Sequence, residues 1–208
     1  MNKKSWGIPM INKGVRNMKI EKGQPGYLKA QRNKILIQTL VEFGLVLLIL
    51  VIGILYFHTR LNVFTVVAVV GCLPASKALV ELIAILPYKS VEPQKVNEIE
   101  EKSSLLTTAY DLVMTSREKI MPVDAIVISG HTVFGYAPNK KTNPEDAASY
   151  IRKTLSKNHF DKMTIKIFPD YVAFLSRVEG MQSIMEIEQS DTKKKEQAIR
   201  RILLSISM

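Results

Sequence analysis

Cysteine is nearly missing from this chain: Cys72 is the only one in 208 residues. A single thiol forms no intramolecular disulfide and builds no cysteine-based zinc site, which suits a reducing compartment. Histidine is scarce as well. His58, His131 and His159 lie far apart, and no pair has the spacing of metal ligands. Acidic residues are short in one particular place, for residues 1–34 hold nine Lys and Arg against Glu21 alone, a net +8 of the chain's +10. The rest is close to neutral. Without an aromatic platform or a recognition helix beside the basic stretch, nucleic acid is not an expected partner. No lipidation motif appears, and no small-residue cleavage pattern follows a short apolar core, so a cleaved leader is not expected.

What the chain has instead is two long apolar runs, residues 35–57 and 63–86, separated only by His58, Thr59, Arg60, Leu61 and Asn62. Each reaches the roughly 20 residues that a helix needs to cross the hydrocarbon of a bilayer. So short a link makes the two helices antiparallel neighbours and puts both flanking segments on one side. The basic tail beside the first run, set against Arg60 alone in the link, predicts both termini in the cytoplasm by the positive-inside rule. The tail also suits anionic lipid headgroups, with Trp6 and Tyr27 as interfacial residues.

Four polar residues interrupt the runs: Gln38 and Glu42 in the first, Lys77 and Glu81 in the second. Counted from the middle of the link, Glu42 and Lys77 fall at equal depth, as do Gln38 and Glu81. This predicts an intramembrane polar cluster with Glu42 paired to Lys77, provided that the link is symmetric and Pro74 does not turn the second helix away.

The organisation expected is a basic tail (1–34), a hairpin (35–86), a connector with the start of a helix (87–104) and a small cytoplasmic α/β or α+β domain (105–208). In the soluble part, Ile99, Leu106, Tyr110 and Val113 lie near one stripe and predict a helix over 96–117. Residues 123–129 and 133–137 read as strands joined by a turn at Gly130 and His131. Asn143 and Pro144 open the clearest helix, to about residue 158, burying Ala147, Ile151 and Leu155. A third strand is expected over 163–168. Asp170 then caps a helix carrying Phe174, Val178, Met181 and Met185, and Ile199, Ile202, Leu203 and Ile206 mark a last amphipathic helix.

Few residues suggest chemistry. Gly130 and Gly135 are spaced as in a phosphate loop, but Tyr136 stands where its lysine belongs. The order helix, strand, strand, helix, strand is that of a restriction-endonuclease-like core, with Asp124 as its first acid; Tyr136, Ala137 and Pro138 leave the second acid unfilled. Asp124, Ser129, His131 and Tyr136 are the candidates for a pocket near the hairpin. No cofactor or metal is called for.

The stretches KGQPGYLKAQ before the first run, TRLNVFTVVAVVGCLPASKALV across the second, and the closing LLSISM together resemble an uncharacterised group of small two-span membrane proteins from Gram-positive bacteria, some labelled similar to O-linked N-acetylglucosamine transferases. The resemblance runs from about Met18 to the C-terminus and marks Met18 as an alternative translation start. It implies a two-span topology and a bacterial plasma membrane, and it transfers no catalytic residue. For a nucleotide-sugar transferase the chain is too short and lacks helical repeats. The expectation is thus a non-enzymatic, membrane-anchored binding or scaffold module for a protein partner or a second copy of itself. A membrane-associated enzyme of degenerate nuclease-like or transferase-like type is the alternative, and an accessory subunit of a transport complex is third.

Overall fold

A computed structural model describes residues 20–57, 63–116, 119–140, 142–188 and 192–208. Trp6, His58, Thr59, Arg60 and Arg117 lie outside them. The first element, α1 (Tyr27–Phe57), is 31 residues long, about 46 Å, and α2 (Val63–Ile85) has 23, about 35 Å. By length and composition both are long and apolar enough to cross a membrane.

These two helices pack along a narrow seam. Thr39, Val46 and Gly53 recur every seven residues on α1, facing Ala68, Ala75, Ala78 and Ile85 of α2, and all seven are buried. Sevenfold spacing keeps one stripe of each helix turned to the other, and small residues let the backbones approach closely. A Cβ placed on Gly71 would come within 3.1 Å of Val46, which fixes these two at one level. Stepping four residues toward the base puts Glu42 beside Ala75, not Lys77. Two residues of offset turn a helical side chain about 200°, so Lys77 leaves the seam.

Beyond the hairpin come α3 (Pro93–Lys102), β1 (Thr107–Thr115), β2 (Ile120–Ser129), β3 (Thr132–Tyr136), α4 (Pro144–Lys157), β4 (Thr164–Phe168), α5 (Tyr171–Glu188) and α6 (Lys193–Ser205). The four strands form one mixed sheet in the order β1-β2-β3-β4, antiparallel except for the parallel pair β3 and β4. Helices α4 and α6 cover one face with Ala147, Ile151, Leu155, Ile199 and Leu203. On the other face α3 and α5 set Val96, Ile99, Phe174, Val178, Met181 and Met185. The connector segment therefore belongs to the domain core, since Val91, Val96 and Ile99 are buried in it.

Local capping formed where the residues called for it. Asn143 accepts from the Glu145 amide at 3.0 Å, and Asp170 from that of Ala173 at 2.8 Å. The helix expected over 96–117 is corrected: it stops at Lys102, and residues 107–115 are a strand. Ser103 turns its hydroxyl back onto the Ile99 carbonyl at 2.5 Å, and the β-branched and aromatic run TTAYDLVMT follows. Covered on both faces, β1 is buried without interruption from Ala109 to Met114, so no two-residue alternation reveals it. Its outer edge is closed too, because the Tyr110 amide donates to Gly23, and Ser207 and Met208 pair with Met114 and Val113.

Candidate functional site at the base of the hairpin

In the middle of β1 and β2 the sheet changes face. Ala109 points to the α4 side and Tyr110 to the α3 side, yet two residues past Tyr110 Leu112 is again on the α4 side. On β2, Met121 and Val123 share a side with Ile126 and Ile128, so the same reversal occurs there. The ladder pairs Tyr110 with Ala125 and Leu112 with Val123, leaving Asp111 and Asp124 facing each other unpaired. Asp111 has φ +55, a left-handed conformation that Asp tolerates better than most residues.

The Asp111 carboxylate, buried at 2 % exposure, accepts from the Leu28 amide at 3.3 Å and the Val91 amide at 3.0 Å. Leu28 begins the first long helix and Val91 follows the second, so one acid holds both legs of the hairpin to the centre of the sheet. Ser90 reinforces this by accepting from the Lys29 amide at 2.9 Å, and Leu28, Ile85 and Val113 form a small apolar cluster around it. The turn ahead of α1 is held from the other end of the chain: Lys22 donates to the Ser207 carbonyl, and Arg200 donates to the Gly23 carbonyl at 3.5 Å while its Nε donates to that of Thr108 on β1 at 2.9 Å. Gly23 (φ +86) is required there, for a Cβ would lie 2.6 Å from Leu204. The KGQPG and LLSISM segments are thus neighbours in space.

Beside this joint opens a cleft of about 340 Å³, lined among others by Glu92, Lys95, Asp111, Asp124 and Asn139. Burial, with the negative charge of Asp111 second, pushes the Asp124 carboxyl up to about 6; Lys95 opposes the shift and Glu92 adds to it. The Lys95 ammonium lies 3.3 Å from Glu92 and over the rings of Tyr136 and Tyr171, 5.8 and 5.6 Å from their centroids. Burial raises the Tyr136 hydroxyl and Lys95 counters it. Tyr171, raised by burial and by its hydrogen bond to Glu98 at 2.8 Å, packs edge-on against Tyr136 with ring centroids 5.3 Å apart.

Of the four pocket candidates, the structure brings Asp124 alone to the lining of this cleft; Tyr136 lies outside it, under the Lys95 ammonium. Ser129 and His131 are at the opposite end of the sheet, in a separate cavity of about 440 Å³ lined by Met181, Ile184 and Met185, where Lys195 donates to the His131 ring at 2.8 Å. On β3 the register sets Ala137 beside Asp124, so the partner acid of a nuclease-like site is missing from that strand. Of the hairpin residues, Gln38 donates to Glu42 at 2.9 Å, while Lys77 and Glu81 are exposed on the outer surface and no ion pair joins Lys77 to Glu42 among the described residues. The second Glu42 oxygen is buried and unpartnered among those residues.

Asp111, Lys95 and Asn139 were not singled out by sequence reasoning. For Asp111 a signal existed, as a lone acid in an otherwise apolar and β-branched run. Glu196 is another such residue: fully buried, it accepts from Thr107 (2.7 Å), Gly130 (2.9 Å) and Thr192 (2.8 Å) and ties α6 to the β2–β3 turn. No protein-family model, no curated protein and no solved structure matches the chain.

Proposed function

We propose that the chain is a two-span protein of a bacterial plasma membrane, with both termini in the cytoplasm, that holds a non-enzymatic binding module against the inner membrane face. The hairpin's outer surface supports the membrane reading, because Leu40 (71 % exposed), Leu55 (68 %) and Leu73 (70 %) stand outward in a broad apolar envelope, with Lys77 and Glu81 toward its base, that water does not suit. The observation that carries the module reading is Asp111, whose carboxylate fastens both hairpin legs to the sheet and fixes the cleft at the membrane surface. A module docked so firmly presents the cleft in one orientation, which favours capture of a protein partner or a second copy.

Asp124 favours a second reading, an enzyme acting at the cleft, since a carboxyl titrating near 6 serves as a general acid or base. That reading ranks second because the surrounding groups are engaged. Asp111 accepts from two amides, Lys95 pairs with Glu92, and the lining serine, Ser90, accepts from the Lys29 amide.

Photocrosslinking in living cells tests the module. A crosslinking amino acid at Asn139, in the cleft, should give a discrete adduct that Asp124→Ala abolishes, while one at Lys153, on the exposed flank of α4, gives none. Equal adducts from both positions, or none from Asn139 when the protein is fully folded, would count against it.

A further inference from the structure

On the other side of the segment 88–92 lies a second and larger cavity, of about 710 Å³. Lys29 and Arg32 line it from the first turns of α1, and Lys89 from the residues just after α2. Lys29 and Arg32 are three apart and so share one side of their helix. None of these three cations has a counter-ion within 4 Å among the described residues. The acids in the lining are Glu92, already facing Lys95 at 3.3 Å, and Glu100, which lies with Asn97 on α3. Gly26, also in the lining, faces open space, for a Cβ there would meet nothing within 4 Å. Charge in the cavity is therefore divided, with cations on the hairpin side and hydrogen-bonding groups on the α3 side.

Depth identifies the ligand. The apolar stretch of α1 begins at Ile35, so Arg32 lies about 4.5 Å and Lys29 about 9 Å below it along the helix axis. The polar layer on each side of a bilayer is about 5 to 7 Å thick. Arg32 thus falls within that layer, Lys29 falls just outside it with a stem long enough to extend its ammonium back toward the phosphates, and Lys89 approaches from the other leg. We infer that this cavity binds the headgroup of an anionic phospholipid from the surrounding bilayer, the phosphodiester meeting Lys29, Arg32 and Lys89. Asn97 and Glu100 offer partners to headgroup hydroxyls, which suits phosphatidylglycerol. The inference rests on the membrane-spanning reading. It differs from general attraction of a basic tail because it assigns the lipid to a built cavity between two legs of the hairpin and the domain.

The test is native mass spectrometry of the full chain released from bilayers of phosphatidylcholine and phosphatidylglycerol, read as the ratio of the two lipids retained. Wild type should retain phosphatidylglycerol preferentially, and each of Lys29→Gln, Arg32→Gln and Lys89→Gln should lower that preference about fivefold. Arg32→Lys should keep most of it. The charge-matched controls Lys153→Gln, Lys157→Gln and Lys194→Gln, made one at a time on exposed helix surfaces away from the cavity, should leave it unchanged. Amide protection at Leu28 and Val91 shows whether each variant stays docked and folded. Equal loss in the cavity variants and the controls would overturn the inference in favour of diffuse charge attraction. Displacement by inorganic phosphate as effective as by lipid would overturn it in favour of a free-phosphate site. A wild type that resists alkaline extraction yet shows no lipid preference defeats the headgroup site and leaves the spanning reading standing; a wild type extracted into the aqueous phase defeats both.

Discussion

Replacing Asp111 removes the acceptor that joins the two halves of the molecule, and the structure gives the size of the effect. Two backbone amides, those of Leu28 and Val91, donate to one buried carboxylate. Each hydrogen bond to a charged acceptor contributes about 1.5–3 kcal/mol, so Asp111→Ala should loosen the junction by about 3–6 kcal/mol. Alanine must also hold a left-handed backbone, at about 1–2 kcal/mol more. Asp111→Gly loses both acceptors but relieves that strain, whereas Asp111→Asn keeps one acceptor oxygen and tolerates the conformation. The ranking of damage is therefore Ala, then Gly, then Asn. Hydrogen exchange of the full chain in bilayers reads it directly, because a loss of about 3 kcal/mol lowers protection by more than a hundredfold. Exchange should accelerate at Leu28 and Val91 first, with the centre of β2 and β3 following less. Wild-type protection at these two amides in Asp111→Ala, or Asp111→Gly outranking Ala in damage, would refute the joint as described.

Gly23→Ala should destabilise by about 2 kcal/mol or more, since φ +86 is strained for alanine and the Cβ meets Leu204 at 2.6 Å, while Gly26→Ala, with open space around it, should show only the strain of about 1–2 kcal/mol; denaturation of the two variants side by side checks the contrast. Glu196→Ala should cost about 4.5 kcal/mol or more and expose the Gly130 amide to exchange, because it empties a fully buried acceptor of three hydrogen bonds at about 1.5–3 kcal/mol each. Asp124 gives a pH signature of unusual sign: the folded protein holds its proton up to about 6 and the unfolded chain only to about 3.8, so stability falls as pH rises across that window. Asp124→Asn should flatten the fall, which denaturation midpoints between pH 4 and pH 7 will show.

The legible parts of the chain were those specified by neighbours in sequence. Asn143 and Pro144 announced α4 because cap and first turn are local, and the four, three, four spacing of Phe174, Val178, Met181 and Met185 announced the buried face of α5. The strand β1 was hidden because burial on both faces erased its alternation, and the 7, 4, 3 spacing of Ile99, Leu106, Tyr110 and Val113 imitated a helix. Long-range acceptors were hidden for a different reason. Asp111 and Glu196 bond to groups 20 to 83 and 4 to 89 residues away, respectively, and nothing beside them in sequence records those partners. Symmetric counting across the link placed Glu42 and Lys77 level to within two residues, but two residues decide which way a helical side chain faces. Asp124 and Tyr136 were identified as residue types, but only Asp124 lines the cleft, and Lys95, which interacts with both, is what relates them in space.

The central claim is that the two long helices cross a membrane with the docked domain and the pre-hairpin segment on the cytoplasmic side. Its most direct measurement is labelling of single cysteines in intact cells with an impermeant thiol reagent, in a Cys72→Ala background. Thr59→Cys, in the link between the helices, should label before lysis, whereas Ile20→Cys and Lys157→Cys should label only after it. Labelling of Ile20→Cys or Lys157→Cys in intact cells, with Thr59→Cys protected until lysis, would contradict the account.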